Sequence, residues 1–324
     1  MAVVYGLALS ARVTLDLHNL NNEGTEGNQQ QTRMVTILDG SGQRKVVNAV
    51  SGDMLKHMLV DHLIPLLDQA HQPLSPGARA HDADRITANN PEFNAFAQDR
   101  KNSESTVLTR MLTDCSLTDI AGALVTGNRA IARKSVVEFG WAIGLPDSTI
   151  TEQFFHVKYA PEGRGGAAGT ETVTGAQAIF HRPASSGVYA LVCNLDLWRI
   201  GQNDITRAYV VSRGDRAARA RALLHALSAM LVKPNGAQRA TQAPHVLGLE
   251  GVIAVSSTTL PPPMVSPLAP DFEDQIERIA TTYNRIAPDA IQTWRVGSLA
   301  ECVERLARIA VELDVPELSD GRPD

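Results

Sequence analysis

From Val3 to Leu17 the odd positions Val3, Tyr5, Leu7, Leu9, Ala11, Val13, Leu15 and Leu17 are all apolar, while Ser10, Arg12, Thr14, Asp16 and His18 take even ones. A period of two puts alternate side chains on opposite faces, so the stretch predicts a strand with one buried face. The alternation ends at NNEGTEGN, and Asn21 to Thr32 then contains no apolar side chain. Ordinary connections run to roughly 4 to 6 residues, and a polar one of about a dozen is functional or disordered.

Further along, RMVTILDGSGQRKVVNAV reads as two extended pieces around a Gly-Ser-Gly turn. Helical spacing follows in SGDMLKHMLVDHLIPLL: Ser51 sits at the N-cap, Asp53 in the first turn, and Leu55, Met58, Leu59, Leu63 and Leu66 on one face. Residues 72 to 112 are rich in Pro, Asn, Asp and His with poor periodicity, which predicts a partly helical insertion reaching away from the core. Strand character returns at KSVVEFGWAIGL, and TEQFFHVKYAPEGRGGAAGTETVTGAQAIFHRP predicts a protruding hairpin with its tip at Gly163 to Gly169. GVYALVCNLDLWRIG is another strand. DRAARARALLHALSAMLVK is a helix burying Ala220, Leu223, Leu224, Leu227 and Leu231, with Arg213, Arg216 and Arg219 as a mainly solvated stripe opposite. After the strand VLGLEGVIAVSST come two appended helices, around DFEDQIERIATTYNRI and SLAECVERLARIAVEL. Without its insertions the order is strand, helix, strands, helix, strand, which is the ferredoxin-like split βαβ arrangement of an α+β fold.

The totals narrow the function. A chain of 324 residues with 44% hydrophobic and 20% charged residues builds a globular core. The net charge of -5 requires any nucleic-acid site to be a local basic track within an acidic background. Cys115, Cys193 and Cys302 lie far apart without a CxxC pair, as expected of reduced, buried packing residues. The start has a signal-like ALSA but no basic n-region, and no stretch is apolar for the roughly 18 residues of a membrane span, so a cytoplasmic location is expected.

P-loop, GxSxG and HExxH motifs are missing, and EGRGGAAG lacks GxGxxG spacing. His81, Asp82 and Asp84 could share a cation, yet such clusters are common on polar loops. Glu23 and Glu26 read as partners of loop amides rather than as an acid-base pair. Arg129, Arg133 and Lys134 in NRAIARKS, and Arg44 and Lys45 in GQRK, offer a phosphate track beside strands. Lys56 and His57 sit in the first turns of the Ser51-capped helix, where free amides and the positive dipole end favour an anion. The amide-rich loop can contact phosphates and ribose without reading a base.

LALSARVTLDLHNLNNEGTEGN and VNAVSGDMLKH, followed in order by CSLTDIAGAL, RKSVVEFGWAIGL, FHRPASSGVYALVCNLDLWRIG and KPNGAQRATQAP, resemble the DevR/Csa-type CRISPR-associated proteins of the RAMP superfamily. The resemblance spans roughly residues 5 to 260. It implies a modified RNA-recognition-motif palm carrying a helical fingers insertion and a thumb β-hairpin. The implied division is palm 1–71, fingers 72–133, palm strand 134–151, thumb 152–186, palm 187–260 and a helical extension 261–324. The implied function is noncatalytic: a subunit that oligomerises along CRISPR guide RNA as the backbone of a type I Cascade surveillance complex and supports pairing with target DNA. Its implied partners are guide RNA, copies of itself and other Cascade subunits, with no cofactor. The implied RNA contacts are Asn21, Asn22, Gly24, Thr25, Gly27, Asn28 and Gln29; Ser51, Gly52, Met54, Lys56 and His57; Arg129, Arg133 and Lys134; Arg164 at the hairpin tip; and Gly236, Gln238 and Arg239. Within CSLTDIAG, Cys115 is followed by Thr118 and Asp119 with no second cysteine, a departure from relatives, and a metal is not expected there. The alternative is a metal-dependent or acid-base ribonuclease of the same superfamily using His57 or His81, and the family name adds an autoregulator without a residue signature.

Overall fold

The computed structural model describes residues 2–159 and 177–317. In chain order, β1 (Ala2–Val3) and β2 (Gly6–His18) lead into β3 (Asn22–Glu26), β4 (Gln29–Thr32), β5 (Met34–Leu38), β6 (Arg44–Val50) and α1 (Gly52–Gln69). The insertion holds α2 (Pro76–Arg79), α3 (Pro91–Gln98), α4 (Glu104–Asp114), α5 (Ser116–Ala121), β7 (Ala123–Val125) and β8 (Ile131–Arg133). Then follow β9 (Val137–Phe139), β10 (Ala142–Tyr159), β11 (Gln177–Leu195), α6 (Arg213–Val232), β12 (His245–Ser256), α7 (Phe272–Ile286), β13 (Ile291–Val296), α8 (Leu299–Glu312) and β14 (Leu313–Asp314). This is a mixed α+β fold built on a largely antiparallel sheet, with eight α-helices among the described residues.

The sheet order is β13, β12, β2, β11, β10, β6, β5, so the first long strand lies at the centre between β12 and β11. Its odd residues Leu7, Leu9, Ala11 and Leu15 join Leu55, Met58, Leu59 and Leu63 of α1 and Leu223, Leu224 and Leu227 of α6 in the main core. The opposite face is not wholly open: Ser10 is buried too, because its neighbour across the ladder, Val252, packs with Ala254 under Phe272 and Ile276 of α7. The two C-terminal helices expected from periodicity are α7 and α8. Between them β13, unforeseen as a strand, extends the sheet by pairing Ile253 with Trp294.

The insertion does not reach away from the core. Val107, Leu108 and Met111 of α4 and Leu117 and Ile120 of α5 belong to the same cluster as α1 and α6. Poor periodicity in residues 72–112 reflects short helices between turns rather than detachment. The long hairpin is observed as expected, pairing from Thr149 with Gly187 out to Tyr159 with Gln177; its tip, with Arg164, lies outside the described residues. All three cysteines are buried, and the sulfur of Cys115 accepts the Thr118 amide at 3.4 Å at the start of α5.

Two of the three arginines read as a solvated stripe are interior. Arg216 and Arg219 are 3% and 2% exposed, and the Arg219 guanidinium donates to Gln72 Oε1 (2.9 Å), the Leu112 carbonyl (2.9 Å) and Asp119 Oδ2 (2.8 Å). A charge on the polar side of a helix is drawn inside here because the insertion supplies acceptors for it.

Candidate nucleic-acid interface

The polar loop is neither disordered nor a plain connection. It folds as the β3–β4 hairpin, turning at Gly27 (φ 61°) and irregular between Asn22 and Gly24 (φ 112°), where a positive φ suits glycine. Asn21 at its root is buried and structural. Its Oδ1 accepts the Ser51 amide at 2.9 Å, while its carbonyl accepts from Thr32 Oγ1 at 2.9 Å. The loop is thereby tied to the first residue of the α1 cap. Ser51 Oγ in turn accepts from the Met54 amide at 3.2 Å, so the Gly52 and Asp53 amides are left without an intrahelical acceptor. Gly52 is required by packing, since a Cβ there would stand 2.8 Å from the Phe139 carbonyl oxygen.

Beneath this junction lies a connected polar layer. The Tyr189 hydroxyl donates to Asn48 Oδ1 at 2.9 Å, and Asn48 Nδ2 donates to Thr32 Oγ1 at 3.2 Å and the Arg33 carbonyl at 3.0 Å. His18 packs edge-on against Tyr189 with ring centroids 5.0 Å apart. Burial pushes the His18 imidazole down to about 4, so it is neutral near pH 7. Burial also raises the Tyr189 phenol.

Two further segments meet the loop. On one side, the Asn28 carbonyl accepts the His181 amide at 2.9 Å, and Gln153 Nε2 donates to the Gln30 carbonyl at 3.2 Å, which lays β3–β4 against the long hairpin. On the other, the Ala237 amide donates to the Leu20 carbonyl at 3.1 Å. Gly236 approaches so closely that a Cβ would come within 2.5 Å of the Leu20 side chain. Asn19 Nδ2 donates to Gln242 Oε1 at 3.2 Å, and Gln242 Nε2 to the Pro183 carbonyl at 3.0 Å. The β3–β4 loop, the start of α1, the segment with Gly236, Gln238 and Arg239, and the root of the hairpin therefore share one end of the sheet.

On this surface Thr25, Gly27, Asn28, Gln29, His57 and Arg239 are exposed, while Asn22, Met54, Lys56 and Gln238 are half-buried. The Lys56 ammonium sits below the usual lysine range because burial disfavours its charge and Arg85 lies nearby; Asp53 pulls weakly the other way. Burial likewise lowers the Arg85 guanidinium. A half-buried pair of cations is relieved by an anion.

The basic stretch before β9 does not join them. Arg133 is 2% exposed, and every guanidinium N–H is spent: on the Asp119 carbonyl and Oδ1, the Gln202 and Arg199 carbonyls, and Asp204 Oδ1, at 2.8–3.0 Å. It has nothing left for a phosphate, which corrects the expectation from NRAIARKS. Arg129 likewise holds the carbonyls of Ala97, Asp99 and Asn102 at the end of α3. Only Lys134 of the three is exposed. Lys45 pairs with Asp147 at 3.6 Å. His81 Nδ1 lies 3.2 Å from Asp61 Oδ1, and no group of three metal-ligating side chains occurs among the described residues. No helix among them is long and apolar enough to cross a membrane.

The family model for the CRISPR-associated negative auto-regulator DevR/Csa2 matches residues 9–279. The chain belongs to the DevR/Csa2 family of CRISPR-associated proteins. CRISPR-associated protein Cas7/Csa2 1 of Saccharolobus solfataricus is similar to it, with 24% identity over 290 residues that cover 87% of both chains. A chain of a CRISPR RNA-guided surveillance complex is similar over 94% of this chain and 99% of its own, at 15% identity and a TM-score of 0.47. Csc2 of Thermofilum pendens is similar over 93% of this chain and 81% of its own, at 11% identity and a TM-score of 0.37.

Sequence reasoning about this DevR/Csa2 chain missed three features of the surface. Arg33 pairs with Glu23 and lies over the Trp141 ring at 4.9 Å, bracing the outer edge of β3. Arg85 belongs to the insertion and meets Lys56 only through the fold. His18, Asn48 and Tyr189 come from three strands, and no local motif links them.

Proposed function

We propose that this DevR/Csa2 protein is a noncatalytic guide-RNA-binding subunit that oligomerises along the guide as the backbone of a type I Cascade surveillance complex and supports its pairing with target DNA. The observation that carries the reading is the hydrogen bond from the Ser51 amide to Asn21 Oδ1, which locks an amide-rich hairpin to the open amide end of α1 beside Lys56. Backbone amides, Lys56 and loop amides together suit phosphate and ribose, which recur in any RNA sequence. The sheet order supports a modified RNA-recognition palm: β12, β2, the β11–β10 pair and β6 follow each other, with α1 and α6 joining them in one core. On this reading residues 1–71, 134–151 and 187–260 form the palm, 72–133 the fingers and 152–186 the thumb. Companion Cascade subunits and further copies of the chain are the protein partners.

The test is purification from cells that express a CRISPR repeat array. Particles larger than the monomer that carry RNA, with repeat RNA keeping its length on incubation with the chain, are the expected result. A monomer free of nucleic acid, or shortened repeat RNA, overturns it.

A further inference from the structure

The alternation of β2 fails at its last two residues. Leu15 is buried and a period of two would bury Leu17 as well, yet Leu17 is 48% exposed and its neighbour His18 only 2%. A β-bulge is the cause: Leu15 pairs with Gly187 and His18 with Ser185, so β2 spends two residues where β11 spends one. Leu17 takes the strain at φ 50°, in the left-handed region that disfavours a bulky side chain, and its amide donates to Ser186 Oγ at 2.9 Å.

The inward position suits His18 poorly. Its Nε2 is enclosed without a hydrogen-bond partner among the described residues, and Nδ1 lies 3.5 Å from the Leu20 amide nitrogen. The same residues adjoin an apolar cavity of about 50 Å³, lined by Leu15, Leu20 and Tyr189 together with side chains of α1 and α6. Tyr189 is also the ring against which His18 packs. The cavity thus borders the place that alternation assigns to Leu17, and its lining lacks the contacts that a filled core provides. Strain at Leu17, an unpaired ring nitrogen at His18 and an unfilled space between Leu15 and Leu20 all point to one local conflict between pattern and fold.

We propose that the end of β2 is a two-state switch in which Leu17 and His18 trade sides, Leu17 turning inward to fill the cavity and the space of the imidazole while His18 turns out into water. A proton selects between the states. Burial holds the enclosed imidazole down to about 4, whereas in water it has the ordinary value of 6.5, so acid favours the outward state. From pH 7 to pH 5 the ratio of the two moves roughly twentyfold. Tyr189 of β11 is the ionisable group packed against the ring, and among the described residues no charged side chain contributes to the shift. Asp16 and His245, paired across β2 and β12, lie on the other face of the strand.

Losing the bulge moves the residues after it by one position, about 3.3 Å along the strand. Those residues tie the polar end of the sheet together: Asn19 to Gln242, Leu20 to Ala237 and Asn21 to Ser51. The outward state therefore loosens the β3–β4 hairpin from α1. On the guide-RNA reading, on which this coupling rests, it weakens the grip on the strand.

The isotope-labelled full chain is titrated with acid from neutral pH and followed by NMR. The Leu17 methyl groups should gain contacts with the Tyr189 ring as the His18 ring reaches water, with a midpoint between 4 and 6.5. Leu17→Gly accepts the positive φ and has no side chain to bury, so it should lower that midpoint. His18→Phe does not titrate and should abolish the transition. Leu17 methyl groups that stay exposed until the chain unfolds, or a midpoint that Leu17→Gly leaves unchanged, overturn the switch. A short RNA added to the same samples should bind more weakly at pH 5 than at pH 7 in the wild type, and lose this dependence in His18→Phe. Equal pH dependence in the two chains overturns the coupling. Should His18→Phe fail to fold, Leu17→Gly carries both comparisons. A chain that binds no RNA at pH 7 yet trades its two side chains refutes the guide-RNA reading while upholding the switch.

Discussion

Two groups of cations look alike in the sequence and behave oppositely in the fold. Arg133 and Arg219 converge on Asp119, whose side chain has no exposed area, and their guanidinium N–H groups go to carboxylate, amide and carbonyl oxygens. Lys56, in the first turns of α1, and Arg85, in the insertion, are half-buried, and their pKa values are lowered chiefly by burial. The first group is closed and its charges are spent on holding the insertion to α6. Among the described residues the second has only Asp53 acting on Lys56 and the Gly122 carbonyl accepting from Arg85 at 2.6 Å, so its charges are less compensated than those on Asp119. Buried charges survive only when paired, so a saturated arginine is part of the scaffold and an under-compensated one marks a place for a ligand.

The comparison breaks most directly at Asp119. Asp119→Ala removes the carboxylate that the two buried guanidiniums share, leaving Arg133 with Asp204 and Arg219 with only the Gln72 and Leu112 oxygens, and should cost about 3–5 kcal/mol in chemical denaturation. Near-wild-type stability would mean that the network is not closed.

A smaller effect belongs to His18, in the polar layer under the loop. Its folded pKa of about 4 lies below the unfolded value of 6.5, so the unfolded chain binds the proton first. Stability should therefore fall as pH drops through 6.5 and level off near pH 4, at up to roughly 1.4 kcal/mol per unit between them. His18→Phe should flatten that window, as urea unfolding at pH 7 and pH 5 would reveal.

Lys56→Ala should leave stability within about 0.5 kcal/mol of wild type and weaken unrelated RNA sequences alike. The slope of log affinity against log salt should shrink by about 0.7. A loss confined to one sequence would mean that Lys56 reads a base.

The mildest changes are in the hairpin tip. Gly24→Ala with Gly27→Ala introduces Cβ atoms that meet nothing within 4 Å, so their cost is backbone strain at positive φ rather than a clash. Global stability should fall by about 1 kcal/mol at each glycine while RNA affinity falls, with Asn22→Ala giving a smaller loss of affinity. Unfolding and RNA binding measured on one preparation separate the two; lost stability with unchanged affinity per folded molecule would make the hairpin purely structural.

Much of this was legible along the chain, and particular residues explain where legibility stopped. The alternation from Val3 to Leu17 specified the central strand, and the Ser51 cap with Leu55, Met58, Leu59 and Leu63 specified α1, because local periodicity and capping depend on neighbours a few residues away. Leu66 was expected on the buried face and is only half-buried, with Ile64 and Leu67 buried instead. The spaced segments from LALSARV to KPNGAQR point to the family on residues alone. The loop at NNEGTEGN was recognised as special from its length and composition, but its hairpin form was not, since β4 is held partly by His181, more than 150 positions away.

Sequence by itself thus determined the alternation, the caps, the glycine-bearing turns and the family. Only the tertiary structure decided which charges are spent. Arg133 and Lys134 are adjacent in the chain, yet one is sealed among Asp119, Asp204, Gln202 and Arg199 while the other faces water. Charge is a property of a residue, whereas its compensation depends on acceptors brought from 14 to 71 positions away, and only chain folding sets those distances.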